Sequence, residues 1–255
     1  GKKIEGNFRS HGIPLTDVKK NPAHFKLLKN WLESYKIGEL IDSKGRPLSE
    51  VLEFVPKDDL RMGNCKYAFG GKMRKNLDLP EVKAYEVDVK NRQSVLKRNT
   101  AVGAEFIRDI FRKNGDNFRF FCPDETDSNK MSAIFEATKR AFVWPLKSYD
   151  EFMSPDGRVM EVLSEHNLMG WLQGYLLTGR HGMFATYEAF AEIITSMVDQ
   201  HAKFLAQAKK IPWRKPISSL NFLLTSVGWR QEHNGYSHQN PGFISNVVEK
   251  HGEFA

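Results

Sequence analysis

Apolar positions along the chain change their spacing near residue 100. Before it, one segment reads clearly as helix. Asn21 and Pro22 look like an N-cap and first helical position, and Phe25, Leu28, Trp31/Leu32 and Tyr35 recur at helical spacing to about Lys36. Turn-rich stretches follow, "DSKGRP" around 43–47 and "GNCKYAFGGK" over 63–72, with a short helical stretch near 49–55. Residues 57–95 are rich in charge and lack a clean period, as an extended connecting segment would. The pattern predicts a linker with one or two helices over 1–95 and a domain over 96–255.

Beyond residue 100 helices and strands alternate. Thr100 reads as the cap of a helix with Val102, Phe106/Ile107 and Ile110/Phe111 on one face and Gly115 as its stop. "NFRFFC" (117–122) reads as a strand, residues 128–141 as a helix, "GRVMEVLSE" as a strand and "HNLMGWLQGYLL" as a buried helix. "GMFATYEAF" is a strand. A long helix follows, carrying Phe190, Ile193/Ile194, Met197/Val198, His201 and Phe204/Leu205 on one side. "SSLNFLLTSV" closes as a strand and "FISNVVEK" as a helix. Alternation at this spacing predicts an α/β fold, a parallel sheet with helices on both faces.

Ligands of such sheets bind at the carboxyl ends of the strands. Four loops fall there, 122–129, 163–167, 186–188 and 228–242, and each carries functional groups. Glu165 has two readings. As an acid in the first turn of a helix capped by Ser164, it complements the helix dipole by ~0.3–1 kcal/mol. Between Leu163 and "LMGWL", it is also a carboxyl whose pKa desolvation would raise, able to share a proton with a ring nitrogen. "CPDETDSN" (122–129) reads either as a turn and cap cluster or as a polar site; Ser128 beside backbone N–H groups could take phosphate. Its acids match no EF-hand spacing, and no metal-ligand set is expected in the chain. Tyr187 is a core ring or an aromatic platform, and His201 a core histidine. The densest cluster is "RQEHNGYSHQNPG" (230–242), with Gln231, Asn234 and His238.

Composition narrows the partners. The 255 residues include 38 Lys and Arg against 31 Asp and Glu, a net charge of +7 that favours an anionic partner. The basic residues are scattered, with no zinc-finger or RNA-binding motif, so phosphorylated small molecules are expected rather than nucleic acid. No apolar run is long enough to span a membrane, and no signal peptide opens the chain. Two cysteines, Cys65 and Cys122, suit a reducing cytoplasm. A start without Met reads as part of something longer. Walker, dinucleotide and nucleophile-elbow motifs are all missing.

Five segments together resemble phosphoketolase, a thiamine-diphosphate enzyme that splits ketose phosphates. They are "FRSHGIPL" (8–15), "FCPDETDSN" (121–129), "EVLSEHNLMGWLQGYLLTGRHG" (161–182), "FATYEAF" (184–190) and "WRQEHNGYSHQNPG" (229–242). The resemblance spans essentially the whole chain and implies the middle third of that enzyme: the end of a linker, then the domain that binds the cofactor's pyrimidine. It implies that Glu165 bonds the pyrimidine N1′, with Tyr187 packed on the ring and Leu163 nearby. Gln231, Asn234 and His238 match substrate-contacting positions, His238 moving a proton during loss of water. Glu125 and Ser128 match positions near the incoming phosphate or the substrate's polar end. The implied reaction cleaves xylulose 5-phosphate or fructose 6-phosphate between C2 and C3, giving an aldose phosphate and acetyl phosphate. Mg²⁺ and the diphosphate ligands are expected outside this chain, and a homodimer is implied. The alternatives are transketolase-type transfer and a non-catalytic sugar-phosphate or nucleic-acid binding module. The isolated chain is expected to fold without turning over.

Overall fold

The computed structural model describes residues 12, 15–68, 70–226 and 241–250. The chain divides into two compact units, Gly1–Arg61 and Met62–Ala255. In the first unit, helix α1 (Pro22–Glu33) starts where expected: Asn21 Oδ1 accepts from the backbone N–H of Ala23 at 3.1 Å and of His24 at 3.2 Å. The "DSKGRP" turn is closed by Asp42, whose Oδ1 accepts from the N–H of Lys44 and Arg46 at 2.8 and 2.9 Å. Ile41 and Pro47 form an antiparallel bridge across it, and α2 (Ser49–Glu53) follows.

The second unit holds a six-stranded sheet in which every pairing is parallel. Its strands are β1 (Phe118–Cys122), β2 (Arg140–Ala141), β3 (Met153–Ser154), β4 (Val159–Glu161), β5 (His181–Tyr187) and β6 (Asn221–Thr225). They lie in the order β3-β2-β4-β1-β5-β6. Alternation along the strands feeds two cores. Phe118, Phe120 and Cys122 of β1, with Ala185 of β5, face α3 (Asn99–Asn114) through Ala104, Ile107, Ile110 and Phe111. Phe121 and Phe184 point the other way, onto Leu168, Met169, Leu172 and Leu176 of α4 (Glu165–Leu177). Ile194, between the short α5 (Glu188–Ala191) and α6 (Thr195–Ala208), and Val198 of α6 pack there too, as does Phe243 of α7 (Gly242–Glu249). The expected α/β fold, a parallel sheet covered on both faces, is the observed one.

Three details differ from the sequence pattern. The helix over 128–141 does not form; a 3₁₀ turn, Ser132–Glu136, and strand β2 stand there. Local polar bonds outcompete it: Lys130 is left-handed (φ 64), and Asp127 accepts from Ser132 Oγ and Arg140 Nη2, both at 2.7 Å. The one apolar turn that remains buries Ile134 and Phe135. Helix α3 begins at Asn99, so Thr100 is already helical, with its N–H donated to Asn99 Oδ1 at 2.8 Å. The long helix from Phe190 is broken by a 3₁₀ turn, Glu192–Ile194.

Residues 62–95 belong to the unit that carries the sheet and bond to it repeatedly. Asn114 exchanges two hydrogen bonds with the Asp78 backbone, at 2.8 and 2.9 Å, and Tyr85 Oη donates to Asp109 at 2.5 Å. The Lys75 carbonyl accepts from Asn117 Nδ2 at 3.3 Å and meets His181 Nε2 at 2.7 Å. No helix among the described residues is long and apolar enough to cross a membrane.

Candidate active site at the carboxyl edge of the sheet

The connection leaving β1 runs toward β2, whereas that leaving β5 runs to β6 on the other side. The two loops therefore part above neighbouring strands, leaving the crevice that parallel sheets use for ligands. Glu125, in the loop after β1, reaches across it. Its Oε2 accepts the backbone N–H of Tyr187, the last residue of β5, at 3.2 Å. Asp124 adopts φ 45 just before it, turning the chain back over the sheet edge.

Glu125 is only 5% exposed, and burial pushes its pKa up to about 8. The negative charges of Asp124 and Glu165 push the same way, while the Tyr187 N–H and the Asn129 amide pull down. Glu125 thus carries a proton at neutral pH and can donate a hydrogen bond. Ser128 Oγ donates to the Glu125 carbonyl at 3.2 Å and lies 3.1 Å from the Tyr187 hydroxyl, forming a second bridge across the crevice. The Tyr187 ring stacks on Phe190, centroids 5.9 Å apart and planes at 28°. Two buried polar atoms on the crevice walls, Asn129 Nδ2 and Thr186 Oγ1, have no hydrogen-bond partner among the described residues. The Asn129 amide lies beside the Glu125 carboxyl without reaching hydrogen-bond geometry.

Glu165 enters from β4 as the first residue of α4, half-buried, with Ser164 Oγ accepting from the Asn167 N–H at 3.4 Å. Its charge is among those that raise the Glu125 pKa, so the two carboxyl groups lie near one another at this edge. Leu163 is 74% exposed at the same edge. Glu125, Ser128, Tyr187 and Glu165 are thus brought together, whereas Gln231, Asn234 and His238 lie outside the described residues.

A layer of support beneath the β1 loop has no counterpart among the residues singled out from sequence. Arg140 Nε bonds Glu161 Oε2 at 2.7 Å and its Nη2 bonds Asp127 at 2.7 Å, while Thr126 Oγ1 donates to Glu161 at 3.0 Å. These bonds tie the loop bearing Glu125 and Ser128 to β2 and β4. The available signal was Glu161, a charge inside the apolar strand "RVMEVL" that burial obliges to find a cation. Cys122 lies below, fully buried, its thiol pushed far up by desolvation, which leaves it inert. His201 is buried as expected; burial lowers its pKa, and its Nε2 has no partner among the described residues.

The family of the chain follows from comparison with known proteins. The family described as "D-xylulose 5-phosphate/D-fructose 6-phosphate phosphoketolase" matches residues 101–255, and "XFP N-terminal domain" matches residues 1–73. The chain belongs to the phosphoketolase family. Among curated relatives, a "Probable phosphoketolase" of Nitrosospira multiformis is 51% identical over 98% of the chain and 31% of its own length. One from Bradyrhizobium diazoefficiens is 48% identical over 98% of the chain and 32% of its own length. "Probable phosphoketolase 2" of Nostoc sp. is 49% identical over 99% and 32%. The chain thus spans about a third of the length of these phosphoketolases. Among solved structures, a transketolase from Campylobacter jejuni covers 59% of the chain and 20% of its own, at 18% identity and a TM-score of 0.40.

Proposed function

We propose that this chain supplies the pyrimidine side and part of the substrate side of a thiamine-diphosphate-dependent phosphoketolase site. The full-length enzyme would cleave xylulose 5-phosphate or fructose 6-phosphate with inorganic phosphate, giving acetyl phosphate and an aldose phosphate. The observation that carries the reading is the Glu125 bridge to the Tyr187 N–H, which sets a protonated carboxyl beside Glu165 in the crevice.

The residues present suit the cofactor. Glu165 would hold a proton against the pyrimidine N1′, and the Tyr187 ring would pack on the pyrimidine face. Leu163, exposed at the same edge, would cover it; Asn129 Nδ2 and Thr186 Oγ1 would bond its polar substituents. Bound there, thiamine diphosphate would supply the carbanion chemistry needed at the ketose carbonyl. A carboxylate next to an anionic substrate would repel it, so the raised pKa of Glu125 matters: a neutral acid donates instead. Ser128 would offer its hydroxyl to the same phosphate or sugar oxygens. Gln231 and Asn234 would orient the substrate, and His238 would move the proton when water leaves. Diphosphate and Mg²⁺ ligands would come from elsewhere in a cytoplasmic homodimer, with residues 1–95 as linker and 96–255 as the pyrimidine-binding domain.

The test is product analysis with xylulose 5-phosphate and inorganic phosphate. The full-length protein should make acetyl phosphate, and the 255-residue chain alone none. Two-carbon transfer to an aldose acceptor without acetyl phosphate would replace this reading by a transketolase-type one.

A further inference from the structure

A cavity of about 420 Å³ lies at the opposite end of the sheet, between the C-terminal turn of α6 and the segment that leads into β6. Its wall carries three cations, Lys209, Arg214 and Lys215. No acid pairs with any of them among the described residues. The sequence explains the imbalance: residues 200–226 contain five lysines and arginines and no aspartate or glutamate. Arg214 is half-buried, with its guanidinium 5.2 Å from the Phe204 ring, and its shielded Nε has no hydrogen-bond partner among the described residues. A guanidinium with no acid beside it can hold a phosphate through its outer N–H groups.

The wall is also held in place. Lys215 N–H donates to the Gly70 carbonyl at 2.9 Å. Gly70 and Gly71 have φ of 50 and 86, and a Cβ on Gly70 would fall 2.9 Å from the Trp213 ring. Ser219 adds a polar residue to the lining, the Ser218 hydroxyl being spent on the Gly179 carbonyl at 3.3 Å, whereas Leu205, Pro216 and Ile217 give the cavity an apolar side. Its size falls within the range of small-molecule pockets.

We propose that this cavity is a second ligand site, for a phosphorylated small molecule with an apolar or ring-shaped body. The phosphate is held by Arg214 with Lys209 and Lys215, and the body lies against Leu205 and Ile217. Because the cavity opens at the amino ends of the strands, its occupant is separate from anything bound at the Glu125–Glu165 crevice.

Calorimetry on the full 255-residue chain tests this with phenyl phosphate, inorganic phosphate and phenol as probes. Phenyl phosphate should bind more tightly than inorganic phosphate, and phenol not measurably. Arg214→Gln should weaken phenyl phosphate by at least about tenfold. The exposed pair Lys209→Met/Lys215→Met, which leaves the packing of Arg214 on Phe204 intact, should weaken it as well and steepen no melting curve. Phenyl phosphate binding that survives both variants places the probe elsewhere, the crevice included, and overturns the proposal. Phenol binding as tightly as phenyl phosphate overturns it too.

Discussion

Replacing Glu125 by Gln isolates the free energy of keeping a carboxyl group in the crevice. The pKa rises from 4.5 to about 8 on folding, because desolvation and the charges of Asp124 and Glu165 favour the protonated form. The sign follows from proton linkage. Between those two values the unfolded chain has lost the proton and the folded chain keeps it, so stability falls as pH rises. It is full below the unfolded pKa and lost by the time the folded pKa is passed. The unscreened slope is about 1.4 kcal/mol per pH unit. The crevice mouth meets solvent, which reduces the net loss between pH 5 and pH 8 to about 1–2 kcal/mol. Gln keeps the acceptor for the Tyr187 N–H and cannot ionise. Urea midpoints of the parent and Glu125→Gln, measured from pH 5 to 9, give a difference curve. His201, whose lowered pKa makes stability rise with pH up to the ordinary histidine range, contributes equally to both and cancels. The parent should lose stability relative to Glu125→Gln as pH rises. A flat difference, or one of opposite sign, would refute a protonated Glu125 and with it the neutral-donor role.

Four further substitutions, one of them a second-site change, probe the scaffold of the site. Arg140→Met strands the Glu161 carboxylate, 9% exposed in its side chain, and should cost about 3–5 kcal/mol in chemical denaturation. Adding Glu161→Gln should recover part of that loss. Gly157→Ala places a Cβ 2.3 Å from the Arg140 carbonyl oxygen, against strand backbone that cannot yield, so the loss should exceed the ~1–3 kcal/mol usual for overpacking. Gly174→Ala, in mid-helix α4 with nothing within 4 Å of the new methyl, should instead raise the melting temperature through a gain of about 0.5–1 kcal/mol.

The sheet was legible because its central strands bury both faces: "FRFFC" and "FATY" are apolar runs of strand length between helical periods. The edge was not. β2 and β3 are two residues each and carry no period, and Arg140 reads as a helical residue until Asp127 and Glu161 are seen on either side of it. Position within the parallel sheet drew attention to Glu125, Ser128, Glu165 and Tyr187, since strand ends can be read from pattern. The Glu125 proton cannot be read that way, because the residues it meets on folding include Tyr187 of β5 and Glu165 of α4, far away in sequence. Asn129 and Thr186 were missed for a similar reason: a lone Asn in a turn and a Thr in a strand are ordinary until burial removes their partners. The basic wall around Arg214 does not stand out from the scattered lysines and arginines of the sequence; only the fold gathers Lys209, Arg214 and Lys215 about one cavity.

The proposed role of Glu165 at the cofactor's pyrimidine is tested by acetyl phosphate formation in the full-length protein carrying Glu165→Gln. At saturating thiamine diphosphate, Mg²⁺, xylulose 5-phosphate and phosphate, the account predicts a fall in kcat of about 100-fold or more with the fold intact. A Glu165→Gln enzyme that makes acetyl phosphate at the parent rate would contradict it.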